Sequence, residues 1–401
     1  MTYDNRLKDI VTPKHLREAP IHNWLVFPHS YSHELIGSLK EKWQLNCGDV
    51  ILDPFCGAGT TLLAAKTHGI LAKGYDISPY AVFVSNVKSN NYDLARLKNC
   101  WDEIKRKIKS IKNKKKINDY PELVLKALSH QAINKFEAIE SAIGQCTHSP
   151  QEKDFFRLGL FAVMPFFSSA QATGGWLKWI QPRKPHSELY CCYKDRIEKM
   201  LEQAASLPNA KPENRAYKGD VRYLPEKDES YSAIITSPPY PNRHDYTRVF
   251  GVELMYGFLD WKETRSVRYQ SLHSHPESKP IRPEYVSYTP PPQLTVAIAN
   301  LRKVSNNRII VMLEGYFIDL FCSLREMERV CKKNANIALV LGNAQYNGVQ
   351  ILVDEIVADI GEQVGLTCKE IVTARLRGNS AQQMKIYGKM PSRESIILFC
   401  K

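Results

Sequence analysis

Residues 49 to 61, Asp-Val-Ile-Leu-Asp-Pro-Phe-Cys-Gly-Ala-Gly-Thr-Thr, run a short apolar strand (Val50, Ile51, Leu52) into a glycine turn, and the turn into a helix beginning Leu62-Leu63-Ala64-Ala65-Lys66. Gly57 and Gly59 permit backbone conformations and a close ligand approach that a Cβ would block. On the far side, Leu71-Ala72-Lys73-Gly74-Tyr75-Asp76 reads as a second short strand ending in an acid, 17 residues beyond Gly59. Strand, glycine turn, helix, strand, acid is the order of a nucleoside-binding βαβ unit, with Asp76 placed to accept from ribose hydroxyls. Position 62 is Leu where the dinucleotide fingerprint needs a third glycine, and the Gly-Lys-Ser/Thr of a phosphate-binding loop is absent from the helix start. The expected fold class is α/β, a doubly wound Rossmann-like sheet.

A second stretch carries the chemistry. Thr236-Ser237-Pro238-Pro239-Tyr240 follows the apolar run Ala233-Ile234-Ile235. Proline lacks the N–H that a ladder needs and restricts the residue before it, so the strand must stop and Ser237 is presented at a sheet edge. The prolines hold the following carbonyls in one orientation, and Tyr240 adds a flat π-face beside them. Rigid acceptors next to a stacking surface suit a planar base carrying an amino group.

Asp53-Pro54-Phe55-Cys56-Gly57-Ala58-Gly59-Thr60-Thr61 together with Thr236 to Tyr240 resembles the amino-methylating DNA methyltransferases, whose cofactor is S-adenosyl-L-methionine (SAM). The order is that of members with the catalytic motif in the C-terminal part. Residues 22 to 36 look like the segment that packs over the methionine end of the cofactor, and Gly219-Asp220-Val221 like the contact to its adenine. Asn336 to Asn343 looks like the strand after the catalytic one, and Arg393 to Phe399 like the closing hairpin strand. The resemblance implies a SAM-dependent methyltransferase sheet. Its implied cofactor-binding residues are Asp53, Pro54, Phe55, Cys56, Gly57, Gly59, Thr60, Thr61, Asp76, Ile77, Asp220 and Val221, and its catalytic residues Ser237, Pro238, Pro239 and Tyr240.

The chemistry fits those residue types. An exocyclic base amine is a poor nucleophile because its lone pair is delocalised into the ring. Acceptors from the Ser237 hydroxyl and the Pro238 carbonyl would hold both amine hydrogens and localise that pair in line with the sulfonium methyl, so that catalysis is mostly positioning. The base must leave the duplex, at a cost of a few kcal/mol that stacking on Tyr240 partly offsets. Ser before Pro-Pro-Tyr is associated in the resembled family mainly with the 4-amino group of cytosine, and Asp or Asn there mainly with adenine. The expected activity is site-specific cytosine-N4 methylation of double-stranded DNA, in a restriction-modification or related system; adenine-N6 methylation is the alternative and RNA base methylation a more distant one. A carbon-5 cytosine enzyme needs a cysteine nucleophile, normally after proline, and the chain has no Pro-Cys dipeptide.

With 401 residues, Lys and Arg exceed Asp and Glu by 13, which favours a polyanionic partner. The 10 cysteines form no Cys-x-x-Cys pair, so no metal is expected, and with no signal peptide they indicate a reducing, cytoplasmic setting. The apolar stretch Leu158 to Phe167 is too short to span a bilayer. Residues 1 to 94 and 211 to 401 read as the catalytic domain, 95 to 210 as a mainly helical insert and candidate DNA-contact and target-recognition region, and 241 to 300 as a long loop insert near the active site. Helices are expected over Tyr31 to Lys42, Arg308 to Cys331 and Gln350 to Gly361. Candidate phosphate contacts are Lys112, Lys114, Lys115 and Lys116 of the basic run 105 to 116, with Arg243 and Arg248 of the loop after Tyr240. Gln171 to Lys184, aromatic and basic beside a glycine pair, suits a loop that enters a groove or supports a flipped base. A separate cognate restriction endonuclease is compatible with the chain, which carries no nuclease motif of its own.

Overall fold

In a computed structural model the chain is described at residues 1–108, 110, 119–173, 175–206, 213–279, 287–378, 385–388 and 390–401. Lys112, Lys114, Lys115 and Lys116 lie outside these residues.

The strands are β1 (Thr2–Tyr3), β2 (Val50–Asp53), β3 (Leu71–Asp76), β4 (Ala170–Thr173), β5 (Trp176–Trp179), β6 (Arg215–Lys218), β7 (Tyr231–Thr236), β8 (Cys331–Gly342), β9 (Ala344–Tyr346), β10 (Val349–Ile351), β11 (Thr367–Arg377) and β12 (Ser392–Cys400). Eight of them form one sheet in the order β1-β11-β12-β8-β7-β2-β3-β6. β6, β3, β2, β7 and β8 run parallel, and β12 is antiparallel to both β8 and β11. Chain order departs in opposite directions from the β2–β7 pair, and that reversal opens a crevice at the carboxyl ends of parallel strands. The sheet edge on which Ser237 sits is therefore the carboxyl edge, because β7 is a central strand.

The central strands are apolar on both faces because helices cover both. On one face Ile234, Ile337 and Leu339 pack with α13 (Asn307–Val330) and α14 (Val353–Gln363). On the other, Ala233, Ile235 and Val340 pack with α1 (Glu34–Trp43) and α2 (Thr60–Thr67). Such near-continuous apolar runs mark a parallel sheet buried on both sides. The third of the expected helices starts later than its pattern suggested: residues 349–351 form β10, and α14 begins at Val353.

The insert is mainly helical. After α3 (Pro79–Ser89) come α4 (Leu94–Lys107), α5 (Glu122–Ala127), α6 (His130–Cys146) and α7 (Pro150–Phe167), then the β4–β5 ribbon and α8 (Leu189–Ala204). α7 starts on a reciprocal Ser149/Glu152 capping box, which satisfies two donors that the helix cannot.

Residues 241–300 hold more helix than a loop would: α9 (Tyr246–Val249), α10 (Gly251–Gly257), α11 (Trp261–Gln270) and the start of α12 (Pro292–Val304). Two local signals explain the difference. Asp245 accepts from the N–H groups of Thr247 and Arg248, and Asp260 forms a capping box with Glu263. After Pro241 the next prolines of this stretch begin only at Pro276, beyond α11.

The apolar core of the insert is continuous with the catalytic part. Tyr80 and Val84 of α3 and Val252, Leu254, Met255 and Tyr256 of α10 join Trp101, Phe136, Phe155, Phe156 and Phe161 in one buried cluster. Phe161 meets Tyr80, Phe83, Tyr256 and Phe258 at centroid distances of 5.6, 5.6, 6.1 and 5.3 Å. Phe161→Ala should therefore cost about 3 to 5 kcal/mol. Urea unfolding followed by circular dichroism should show one earlier transition for the whole chain. Loss of the insert alone, in a separate transition, would contradict the shared core.

Candidate active site

The carboxyl ends of β2, β3 and β7 open onto one cavity of about 160 Å³ at the β2–β7 reversal. Asp53, Pro54, Phe55, Cys56, Gly57 and Thr60 line it from the first turn, Asp76 and Ile77 from the end of β3, Asp220 and Val221 from the turn after β6, and Ser237 and Pro239 from the end of β7. Gly59, Thr61, Pro238 and Tyr240 stand outside that lining.

The glycine turn shows why. Gly57 (φ +48°) donates its N–H to the Asp76 carboxylate at 3.1 Å and faces open space apart from Phe27. Gly59 (φ +77°) has a different need, since a Cβ there would lie 2.8 Å from the Cα of Ser85 on α3. Its lack of a side chain is thus required by helix packing as well as by its backbone conformation.

Asp53 is buried, and its carboxylate accepts from Thr236 Oγ1 (2.6 Å), Thr61 Oγ1 (2.6 Å), Tyr31 Oη (3.1 Å) and the Phe55 N–H (3.2 Å). Four donors match the acceptor capacity of a carboxylate. Although Asp53 borders the cavity, its oxygens are engaged by the protein, and Thr61 is one of the groups that engage them. Desolvation raises its pKa, and the bonds from Thr236 and Thr61 lead the opposing effects.

Asp76 differs. Among the described residues its donors are two backbone N–H groups, those of Gly57 and Ser78 (2.8 Å), and desolvation pushes its pKa up to about 6 against their pull. A half-buried carboxylate bordering an apolar cavity, with acceptor capacity to spare, fits a diol such as a ribose.

Around it stand groups that the motifs did not individually reveal. Phe27 stacks on Phe250 at 4.2 Å, and both line the cavity with His29, Tyr31, Tyr246, Leu272 and His275. Segment 22–36, expected over one end of the cofactor, supplies Phe27, His29, Ser30 and Tyr31. His29, exposed at the cavity mouth, lies 4.4 Å from the ring of His244. The 271–278 turn is fixed from below: Arg222 bridges Asp220 (2.6 Å) and Asp319 (3.1 Å), and His273 Nδ1 lies 2.9 Å from Asp319. Asp220 is thus an ion-pair partner as well as a lining residue. His275 lies 3.0 Å from the Ser271 hydroxyl.

At the catalytic corner the Ser237 hydroxyl donates to the Val340 carbonyl at 3.0 Å, which turns its lone pairs away from that strand. The carbonyls of Pro239, Tyr240 and Pro241 accept from Tyr316 Oη (2.9 Å), the Asn242 N–H (2.8 Å) and Tyr346 Oη. The Tyr240 hydroxyl donates to Glu394 (2.9 Å), and the Arg377 guanidinium lies 5.4 Å from its ring centroid. Gly342 is required beside that ring, because a Cβ would come within 2.8 Å of it. Beyond the corner, Arg243 is exposed, whereas Arg248 pairs with Asp245 (3.2 Å) and Glu277 (3.3 Å). Asp245 takes Arg248, Arg268 (2.8 Å) and Thr247 as partners rather than His244.

A doubly wound sheet with a glycine turn, a buried acid and a Ser-Pro-Pro-Tyr corner at one crevice defines the class of Rossmann-like SAM-dependent methyltransferases. The family model described as DNA methylase, of the N6/N4 type, matches residues 25–87. The chain is 29% identical over 444 residues to the type II methyltransferase M.BsoBI of Geobacillus stearothermophilus, covering 96% of this chain and 86% of that one. It is 25% identical to the type II methyltransferase M.AvaI of a Nostoc species, covering 100% and 90%. To M.MjaII of Methanocaldococcus jannaschii it is 42% identical over 73 residues, 18% of this chain and 14% of that one. The family match and these relatives support an amino-methylating DNA methyltransferase of the N4/N6 type, with SAM as its cofactor. Among the described residues no helix is long and apolar enough to cross a membrane.

Asp76 gives a pH dependence with a definite sign. A carboxylate that must be ionised to accept from hydroxyls, with a pKa of about 6, binds fully above pH 7 and weakens about tenfold per unit as pH falls below 6. Calorimetric titration with SAM from pH 5 to 8 should show this, and Asp76→Ala should remove the dependence while costing about 1.5 to 3 kcal/mol of affinity. A flat profile in the parent protein would rule out the assignment.

Proposed function

We propose that this protein transfers the SAM methyl group to the exocyclic 4-amino group of cytosine at a specific site in double-stranded DNA. The observation that carries the reading is Ser237, a residue of the cavity wall whose hydroxyl proton goes to the Val340 carbonyl, leaving its oxygen lone pairs to accept. SAM supplies an electrophilic methyl. The chain supplies position: Ser237 Oγ and the Pro238 carbonyl accept the two amine hydrogens, localising the lone pair toward the methyl, and no covalent intermediate is needed. Tyr240, tied to Glu394, gives the extruded base a fixed aromatic neighbour.

Asp76 and the 219–221 turn are assigned to the ribose and adenine of the cofactor, and Phe27, Phe55 and Phe250 to its apolar enclosure. The insert, residues 95–210, and Arg243 are assigned to the duplex. The relatives' designation as type II methyltransferases supports a restriction-modification setting with a separate cognate endonuclease.

Nucleoside mass spectrometry of DNA incubated with protein and SAM should yield 4-methylcytosine. A product containing only 6-methyladenine refutes the cytosine assignment. Ser237→Ala should lower kcat strongly and leave SAM affinity near the parent value, because the hydroxyl is assigned to the reacting amine.

The basic run has its own test. Replacing Lys112, Lys114, Lys115 and Lys116 by Gln should flatten the slope of log affinity against log salt by about 0.9 for each of these lysines that neutralises a phosphate. The parental slope in the variant would mark the run as solvated surface.

A further inference from the structure

The β4–β5 ribbon carries two tryptophans that are not buried: Trp176 is 62% exposed and Trp179 is 51% exposed. Strand alternation places Trp176 and Lys178 on one face of the ribbon and Trp179 on the other. An indole left in water is a cost that folding normally avoids, and here one side of the Trp176 ring is backed by the Arg248 guanidinium at 4.8 Å. Arg248 is itself held by Asp245 and Glu277, so the support is rigid. The outer side of the ring stays open.

The ribbon is bound to the segment that leaves the catalytic corner. Gly175 packs on the backbone of Arg243 and His244 so closely that a Cβ would lie 2.8 Å from the Arg243 carbonyl. Neighbouring α9 provides Tyr246 and Thr247 to the cavity wall. From Ala170 to Glu188 the charged residues are Lys178, Arg183, Lys184 and Glu188, and because Lys184 pairs with Glu188 at 3.0 Å the surplus positive charge is that of Lys178 and Arg183. A cationic ribbon with a rigid, flat, apolar ring beside a cavity that takes one base has the chemistry of a duplex-DNA contact, in which extrusion of a nucleotide exposes two unstacked base faces.

We infer that Trp176, by its open face, stacks on one of the two bases left unstacked beside the gap that the extruded base leaves in the duplex, with Lys178 on the neighbouring phosphate. The inference rests on the DNA-methylating reading given above and names the surface that stabilises the opened duplex. Trp179, on the opposite face, takes no part.

A duplex carrying one abasic site presents such a gap without needing the recognition sequence. Fluorescence anisotropy with this duplex and its intact counterpart should show that the parent protein prefers the abasic one. Trp176→Ala should lose that preference by about tenfold or more, and Trp176→Phe should retain most of it. Lys178→Gln should weaken both duplexes alike and reduce the salt slope by about 0.9. Trp179→Ala should behave as the parent, and SAM affinity measured in parallel should be unchanged in all four variants. An undiminished preference in Trp176→Ala, an equal loss in Trp179→Ala, or no preference in the parent overturns the inference. Methyl transfer by the parent to genomic DNA is scored separately: transfer with an unaltered Trp176→Ala sinks only the role of the ribbon, and absence of transfer sinks the reading on which it rests.

Discussion

The carboxylate of Asp53 draws hydrogen bonds from three separate pieces of chain: Tyr31 of the N-terminal segment, Thr61 of α2 and Thr236 of β7. A buried charge is tolerated only when its acceptor positions are filled, so the three hydroxyls and the Phe55 N–H come as a set. Thr236 immediately precedes Ser237. The same carboxylate therefore fixes the distance between the cofactor turn and the acceptor corner, and a reaction that depends on in-line placement is sensitive to that distance. The Ser237–Val340 bond adds a second tie on the opposite side of β7.

Charge is divided between the interior and the rim. The chain carries a surplus of 13 positive residues, yet its cavity is lined by two carboxylates, buried Asp53 and half-buried Asp76, and by His275, whose pKa burial lowers. Acids inside suit a cationic sulfonium cofactor, and cations outside suit a polyanion. Arg248 is an exception on the rim, since two acids already balance it and its guanidinium supports Trp176.

Much of this was legible wherever a short stretch of sequence has one physical solution. A strand followed by a turn with positive φ, a helix and a second strand ending in Asp76 needs no distant information, and neither does a strand stopped by Pro238 and Pro239. The roles that the sequence concealed depend on partners far along the chain. Gly59 faces Ser85, Thr61 serves Asp53 rather than a ligand, and Arg222 finds Asp319 across 97 residues. Residues 241–300 misled for a different reason. Their mixed composition with late prolines resembles a loop, whereas the Asp260/Glu263 capping box, a readable local signal, starts a helix.

The continuous core that joins the insert to α3 and α10 bears on how such enzymes diversify. Phe161 has partners on both sides of the nominal boundary, and neither side closes its own apolar surface without the other. Residues 95–210 are therefore no interchangeable cassette. Chimeras that exchange the whole segment would join two half-cores whose volumes were not fitted to each other, so they should pack poorly at α3, α7 and α10.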